Sequence, residues 1–212
     1  MKRRISIAAE NADQVFIHPL AIVESDRIGD GTRIWAFAHV LKDAVIGRNC
    51  NVADGTFIEG GAQIGDNVTI KNQCLIWEGV TIGDNAFIGP NVVFTNDLHP
   101  RSPRLELARG RYASKKWLVP TVVGEGASLG ASVTVLAGVT IGEYATIGIG
   151  SVVTRDIPPH ALAHGSPAHV RGHVCRCGQK IEFIRGKAKC AACGSCFQER
   201  NRVVKWLTPK TK

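Results

Sequence analysis

Aromatic side chains are scarce in this 212-residue chain, 6% of positions, and there is a single methionine. A core built from large rings and flexible thioethers is therefore excluded, and small aliphatic side chains must fill it. Long apolar runs are missing as well, because nothing approaches the roughly 18 to 20 residues that a membrane-spanning helix needs. Nor does Met1-Lys2-Arg3-Arg4 lead into an apolar stretch, since Glu10, Asn11 and Asp13 follow. The expectation is a soluble, unexported, cytoplasmic protein. Seven cysteines is an odd number, which argues against a secreted disulfide framework. What is plentiful is glycine, 23 residues, a composition of many turns and few helices.

Acidic residues are outnumbered, 18 against 26 basic ones, for a formal net charge of +8. The excess is not spread evenly. Residues 16–98 carry five basic and ten acidic side chains, residues 99–116 six and one, and residues 171–212 eleven and two. It lies in one loop and in the C-terminal stretch, so a generally basic nucleic-acid-binding surface is not expected.

The internal period decides the fold. Stepping by six from Phe16 gives Ile22, Ile28, Ile34, Val40, Ile46, Val52, Ile58, Ile64, Ile70, Ile76, Ile82, Ile88 and Phe94. After 29 residues it resumes in a new register at Val123, Leu129, Val135, Ile141, Ile147 and Val153. Four residues after many of these stands a small side chain, as at Thr32, Ala38, Ala44, Cys50, Ala62, Cys74 and Ala86. A spacing of six fits neither the helical stripe nor the alternation of an ordinary sheet. It fits short flat strands separated by tight turns, three to a coil of 18 residues, stacked so that each coil buries the next. The fold class is all-β, a parallel β-helix. Cys50 and Cys74 fall on its small interior positions and are expected to be inert.

Hexads such as Ile64-Gly65-Asp66-Asn67-Val68-Thr69 resemble the hexapeptide-repeat acyltransferases over about residues 16–168, interrupted by a long loop at 95–120. The closing segments 156–162 and 165–168 resemble the end of that family's cylinder. The resemblance implies a left-handed β-helix assembled as a homotrimer, with acetyl-CoA as co-substrate and active sites between subunits. Three stretches narrow it: 33–39 (RIWAFAH), 70–72 with 77–81 (IKN, WEGVT), and 89–90 with 94–102 (GP, FTNDLHPRS). They are similar to the N-acetyltransferases acting on nucleotide-linked 3-amino sugars. The nearest likeness is to enzymes of bacterial surface polysaccharide synthesis that acetylate UDP-2-acetamido-3-amino-2,3-dideoxyglucuronate. The alternative is a dTDP-3-amino-3,6-dideoxyhexose substrate. Trp77 stands where that family's pattern has tyrosine.

Acetyl transfer needs an unprotonated amine held beside the thioester carbon and a destination for its proton. With 18-residue coils, Asn96 lies one coil above Glu78, and Thr95 above Trp77 and Glu59. By resemblance Asn96 orients the amine, and His39, Asn72, Trp77 and Arg101 bind the sugar nucleotide. His39 also falls on the outer face in one column with Phe57, Leu75 and Val93. For the proton, His99, Glu78 and the departing thiolate are three open choices. Arg101, Arg104, Arg109, Arg111, Lys115 and Lys116 make the loop cationic and suited to phosphates. Gly130 and Gly148 are 18 residues apart, so together with Ala131 they form a cleared strip for the pantetheine arm, whose alternative explanation is turn geometry.

Cys175-Arg176-Cys177-Gly178 and Cys190-Ala191-Ala192-Cys193-Gly194 read as two knuckles of a zinc-ribbon-like module at 173–200. Cys175, Cys177, Cys190 and Cys193 are the expected ligands of a structural zinc, with Cys196 as a competing donor. A basic tail is expected at 201–212. Two further readings are weighed against the enzyme. One is a nucleic-acid-binding ribbon stacking Phe183, Phe197 and Trp206 on bases, and the other is a scaffold without catalysis.

Overall fold

The computed structural model describes residues 14–200 and 203–207. Most strands of the repeat are two residues long, one per hexad, and they stack into three parallel sheets that form the faces of a prism. The first face holds strands such as Arg33–Ile34, Asn51–Val52, Thr69–Ile70, Phe87–Ile88, Ser128–Leu129 and Thr146–Ile147. The second holds His39–Val40, Phe57–Ile58, Leu75–Ile76, Val93–Phe94 and Thr134–Val135, and the third Gln63–Ile64, Val80–Ile82, Thr121–Val123 and Thr140–Ile141. Register steps by 18 residues from coil to coil, as in Arg33 opposite Asn51 and Leu75 opposite Phe57.

Each hexad places its large aliphatic residue and its small one inside. Ile34, Ile58, Ile70, Ile76, Ile88, Leu129 and Ile147 are buried with Ala38, Ala44, Ala62, Ala86 and Ala127 in one continuous core. The exceptions to the expected interior are at the start. Ile22 is 57% exposed and Phe16 and Ile28 are half-buried, because the first coil has no coil beneath it. Cys50 and Cys74 are buried as expected, and burial pushes both thiols up, Cys74 to about 11. They are unreactive thiols.

The repeated Gly-Asp has a mechanical cause. The Asp84 carboxylate accepts from the Asp66 amide at 2.8 Å, and Asp66 from the Arg48 amide at 2.7 Å, so the carboxylates run as a ladder up the edge between the third and first faces. A Cβ at Gly65 would lie 2.2 Å from Asp84 Oδ1, which leaves room for glycine alone.

Beyond the coils, Ala161–His164 still pairs in parallel with Thr146–Ile147, and the first sheet then continues through antiparallel His169–Val174 and Lys180–Ile181. Lys187–Lys189, Cys196–Arg200 and Val203–Leu207 form a separate three-stranded sheet. Residues 203–207, expected in a basic tail, are thus its outer strand, because Val204 and Trp206 alternate toward the small core. The rest of that tail lies outside the described residues. No described helix is long and apolar enough to cross a membrane.

Candidate active site

The chain leaves the repeat at the edge joining the second and third faces. Trp77, Glu78 and Gly79 turn this corner in one coil, and Thr95 and Asn96 occupy it one coil on. Asn96 Nδ2 donates to the Glu78 carbonyl at 3.2 Å. A carbonyl only accepts, so the amide must present its nitrogen there, and its Oδ1 is left to accept from a ligand. The Glu78 amide is held by Glu59 Oε2 at 2.8 Å, and Thr95 Oγ1 bridges the coils by donating to the Val135 carbonyl at 3.1 Å and accepting from the Ala137 amide at 2.9 Å. Trp77 packs against the core and against Phe57, which also meets His39 edge-on at 5.6 Å. The His39 ring bonds Glu24 at 3.0 Å. A column of rings therefore climbs the second face to the ledge of Trp77, Glu78, Thr95 and Asn96.

The loop is built, not loose. It contains the helix Glu106–Arg109 and two short 3-10 turns, and it rejoins the cylinder where the Val119 amide bonds the Asn96 carbonyl at 3.0 Å. Asp97 organises it. Its side chain, 9% exposed, accepts from the Tyr112 hydroxyl and the His99 amide at 2.9 and 2.8 Å and pairs with Arg111. Desolvation opposes its ionisation, but the hydrogen bonds from His99, Tyr112 and Arg111 outweigh it and hold the carboxyl below the usual aspartate value. Tyr112 in turn accepts from the Arg101 amide at 2.9 Å, so one carboxylate fixes both ends of the loop. Sequence reasoning missed Asp97 and Tyr112. The only signal was that Asp97 follows Asn96 in the quoted FTND stretch.

The cations of the loop fall into two groups. Lys115 pairs with both oxygens of Glu78, and Arg111 is taken by Asp97, so these two are committed within the chain. Arg101, Arg104, Arg109 and Lys116 are exposed, with one Arg101 nitrogen bonded to the Pro100 carbonyl at 2.8 Å. Glu78 is thus an ion-paired anchor of the loop, and its carboxylate is occupied in this state. The His99 ring is exposed and has no partner among the described residues.

Asn72 lies elsewhere. It sits at the edge between the first and second faces, in the column that continues through Pro90 and Ala131, one strand away from the Asn96 ledge. Gly130 and Gly148 share that edge. A Cβ on Gly130 would lie 2.7 Å from the Ile149 amide, and one on Gly148 2.7 Å from His164 Cβ, so coil stacking by itself requires glycine at both. Within one chain the expected residues fall into two groups: Trp77, Glu78 and Asn96 on one edge, and Asn72, Gly130, Ala131 and Gly148 on another.

The cysteine cluster is distant in kind from this site. The sulfurs of Cys175, Cys177, Cys190 and Cys193 all lie within 4.8 Å of one another, with 3.4 Å between Cys175 and Cys193 and 3.6 Å between Cys177 and Cys190. Tetrahedral zinc with bonds of about 2.3 Å separates its sulfurs by about 3.8 Å, which this spacing brackets. Cys196 points to the Gly194 carbonyl at 3.6 Å and is outside the cluster.

Residues 27–60, 61–96 and 120–155 match the family model "Bacterial transferase hexapeptide (six repeats)". The dTDP-3-amino-3,6-dideoxy-alpha-D-galactopyranose 3-N-acetyltransferase of Aneurinibacillus thermoaerophilus is 54% identical over 199 residues, 94% of this chain and 98% of its own. The galactoside O-acetyltransferase of Lactococcus lactis is 41% identical over 76 residues, 36% of this chain and 34% of its own. Among solved structures, the acetyltransferase domain of PglB from Neisseria gonorrhoeae, in complex with acetyl coenzyme A, superposes with a TM-score of 0.50 at 21% identity. That match covers 76% of this chain and 58% of the other, and it speaks for the fold alone. The chain belongs to the bacterial hexapeptide-repeat transferases, and it is an acetyltransferase among them.

Proposed function

We propose that the protein moves acetyl from acetyl-CoA to the 3-amino group of a nucleotide-linked deoxy amino sugar. The observation that carries this reading is the 54% identity, over 94% of the chain, to an enzyme named for that reaction on a dTDP-linked sugar. It also moves the substrate away from the UDP-linked uronate of the first likeness and toward the dTDP-linked 3-amino-3,6-dideoxyhexose. The cylinder is read as left-handed and the assembly as a homotrimer. Support for the trimer comes from the two separated groups of site residues, since a neighbouring copy can bring its edge of Asn72, Gly130, Ala131 and Gly148 to the Asn96 ledge.

In this mechanism Asn96 Oδ1 accepts one N–H of the substrate amine, which turns the nitrogen lone pair toward the thioester carbon. Attack forms the C–N bond, the carbon–sulfur bond breaks, and coenzyme A leaves as thiolate. With Glu78 held by Lys115, the thiolate and the exposed His99 are the remaining destinations for the amine's proton. Trp77 and His39 line the sugar-nucleotide side, and the free loop arginines, Arg101 among them, meet phosphates. A structural zinc in the cysteine cluster belongs to the same reading and takes no part in the transfer. The reaction is placed in the cytoplasm, where seven free thiols are stable.

The test is kcat/KM measured side by side for dTDP-3-amino-3,6-dideoxyhexoses and the UDP-3-amino uronate. Preference for the dTDP sugars is expected, and a preference for the uronate overturns the choice of nucleotide sugar.

A further inference from the structure

The cysteine module consists of two sheets, and no strand pairing joins them among the described residues. One is the antiparallel continuation of the cylinder's own first sheet, ending in Cys175 and Cys177; the other is the three-stranded sheet entered through Cys190 and Cys193. Between them lies a core of six buried side chains, Cys175, Ile181, Ala188, Cys190, Phe197 and Val204. That is too little apolar surface to hold two sheets together. The four clustered sulfurs come two from each sheet.

Arg176 stands between two of these cysteines. Its guanidinium lies 4.4 Å from the Tyr144 ring centre and 4.5 Å from that of Trp206, donates to the Tyr144 hydroxyl, and sits 3.8 Å from Glu125. Tyr144 stacks on His160 at 5.5 Å, and His160 meets Phe197 edge-on at 5.1 Å. The path Trp206, Arg176, Tyr144, His160, Phe197 thus starts and ends in the three-stranded sheet and passes through the last coils of the cylinder. Tyr144 and His160 both have positive φ, 54° and 60°, at turn positions like those that Asn49, Asn67 and Asn85 occupy lower down. Asparagine suffices for the turn, so the rings have another task.

We propose that one zinc ion bound by Cys175, Cys177, Cys190 and Cys193 rivets the two sheets together and, by fixing the turn that carries Arg176, docks the three-stranded sheet on the end of the cylinder. This rests on the structural-zinc reading above and is independent of the substrate. The ion enters as the dication, metal–sulfur bonds replace the thiol protons, and nothing is oxidised or reduced. With four sulfurs the coordination is closed, so the ion holds structure and touches no substrate.

The test uses the full-length wild-type protein. Elemental analysis should give about one zinc per chain, and hydrogen exchange should show the Val174 amide, bonded to the His160 carbonyl at 2.8 Å, and the amides of 203–207 well protected. Chelation should unprotect both regions while the amides of the central coils stay slow. Arg176→Met should keep its zinc and yet exchange roughly tenfold faster at 203–207, the scale of one lost cation–ring clamp. A metal-free wild type overturns the zinc reading and the rivet with it. Bound zinc whose removal leaves both regions protected overturns the rivet alone, and unchanged exchange in zinc-loaded Arg176→Met removes Arg176 from the docking.

Discussion

Asn96→Ala separates a catalytic side chain from a structural one by magnitude. In the folded protein the substitution removes a single 3.2 Å hydrogen bond from a half-buried amide to the Glu78 carbonyl. A neutral bond of that kind is worth about 0.5–1.5 kcal/mol net, so denaturant midpoints should move little. At the reacting amine the loss is larger, because one preorganised hydrogen-bonding group aimed at the transition state commonly supplies about 2.7–4 kcal/mol, a factor of about 100 to 1,000 in kcat. The acetyl-CoA edge, with Gly130 and Gly148, is a full strand away, so KM for acetyl-CoA should stay within about twofold. Both substrates are varied and the acetylated sugar is counted by mass, because the seven cysteines would add background to a thiol dye. The reasoning is refuted if kcat is unchanged, or if KM for acetyl-CoA rises in proportion to the fall in kcat.

Three other outcomes follow from the geometry. Lys115→Ala removes an exposed ammonium from Glu78, so stability should change by under about 1 kcal/mol, while KM for the nucleotide sugar rises as the loop loses its anchor; a large drop in melting temperature without a kinetic change would contradict this. Gly65→Ala forces a Cβ to 2.2 Å from Asp84 Oδ1 and should destabilise strongly, whereas Gly110→Ala, with nothing within 4 Å, should be neutral; equal melting temperatures for the two would contradict the ladder. Asp97 has a lowered pKa, so its contribution to the loop is complete above the unfolded value of about 3.9 and is lost only as pH falls through the depressed folded value. Fluorescence of Trp117, packed on Tyr112 at 5.5 Å, should therefore be flat from neutral pH to about pH 4 and change only below it, and a transition between pH 5 and 6 would contradict the lock.

The period of six carried most of the fold, because a repeat that buries one large and one small residue per turn leaves the same mark at every step. Ile34 through Phe94 and Val123 through Val153 are inside where the spacing put them. It misjudged Phe16 and Ile22, since periodicity cannot tell a first coil from a middle one. The stacking of Asn96 on Glu78 was legible for the same reason. The Asp97, Arg111 and Tyr112 lock was not, because those residues meet across an irregular loop that has no period to read. Cysteine spacing brought the four sulfurs together correctly, and only the coordinates set Cys196 aside. The docking rings were visible as departures: Tyr144 and His160 interrupt turn positions where asparagine recurs lower in the cylinder.

The most direct test of the central claim is the structure of the product formed from acetyl-CoA and a dTDP-linked 3-amino-3,6-dideoxyhexose, by mass spectrometry and NMR. The account predicts one added acetyl group, on the nitrogen at C3, and its loss in Asn96→Ala. Acetyl on a sugar hydroxyl, or no transfer to any nucleotide-linked amino sugar while acetyl-CoA still binds, would contradict it.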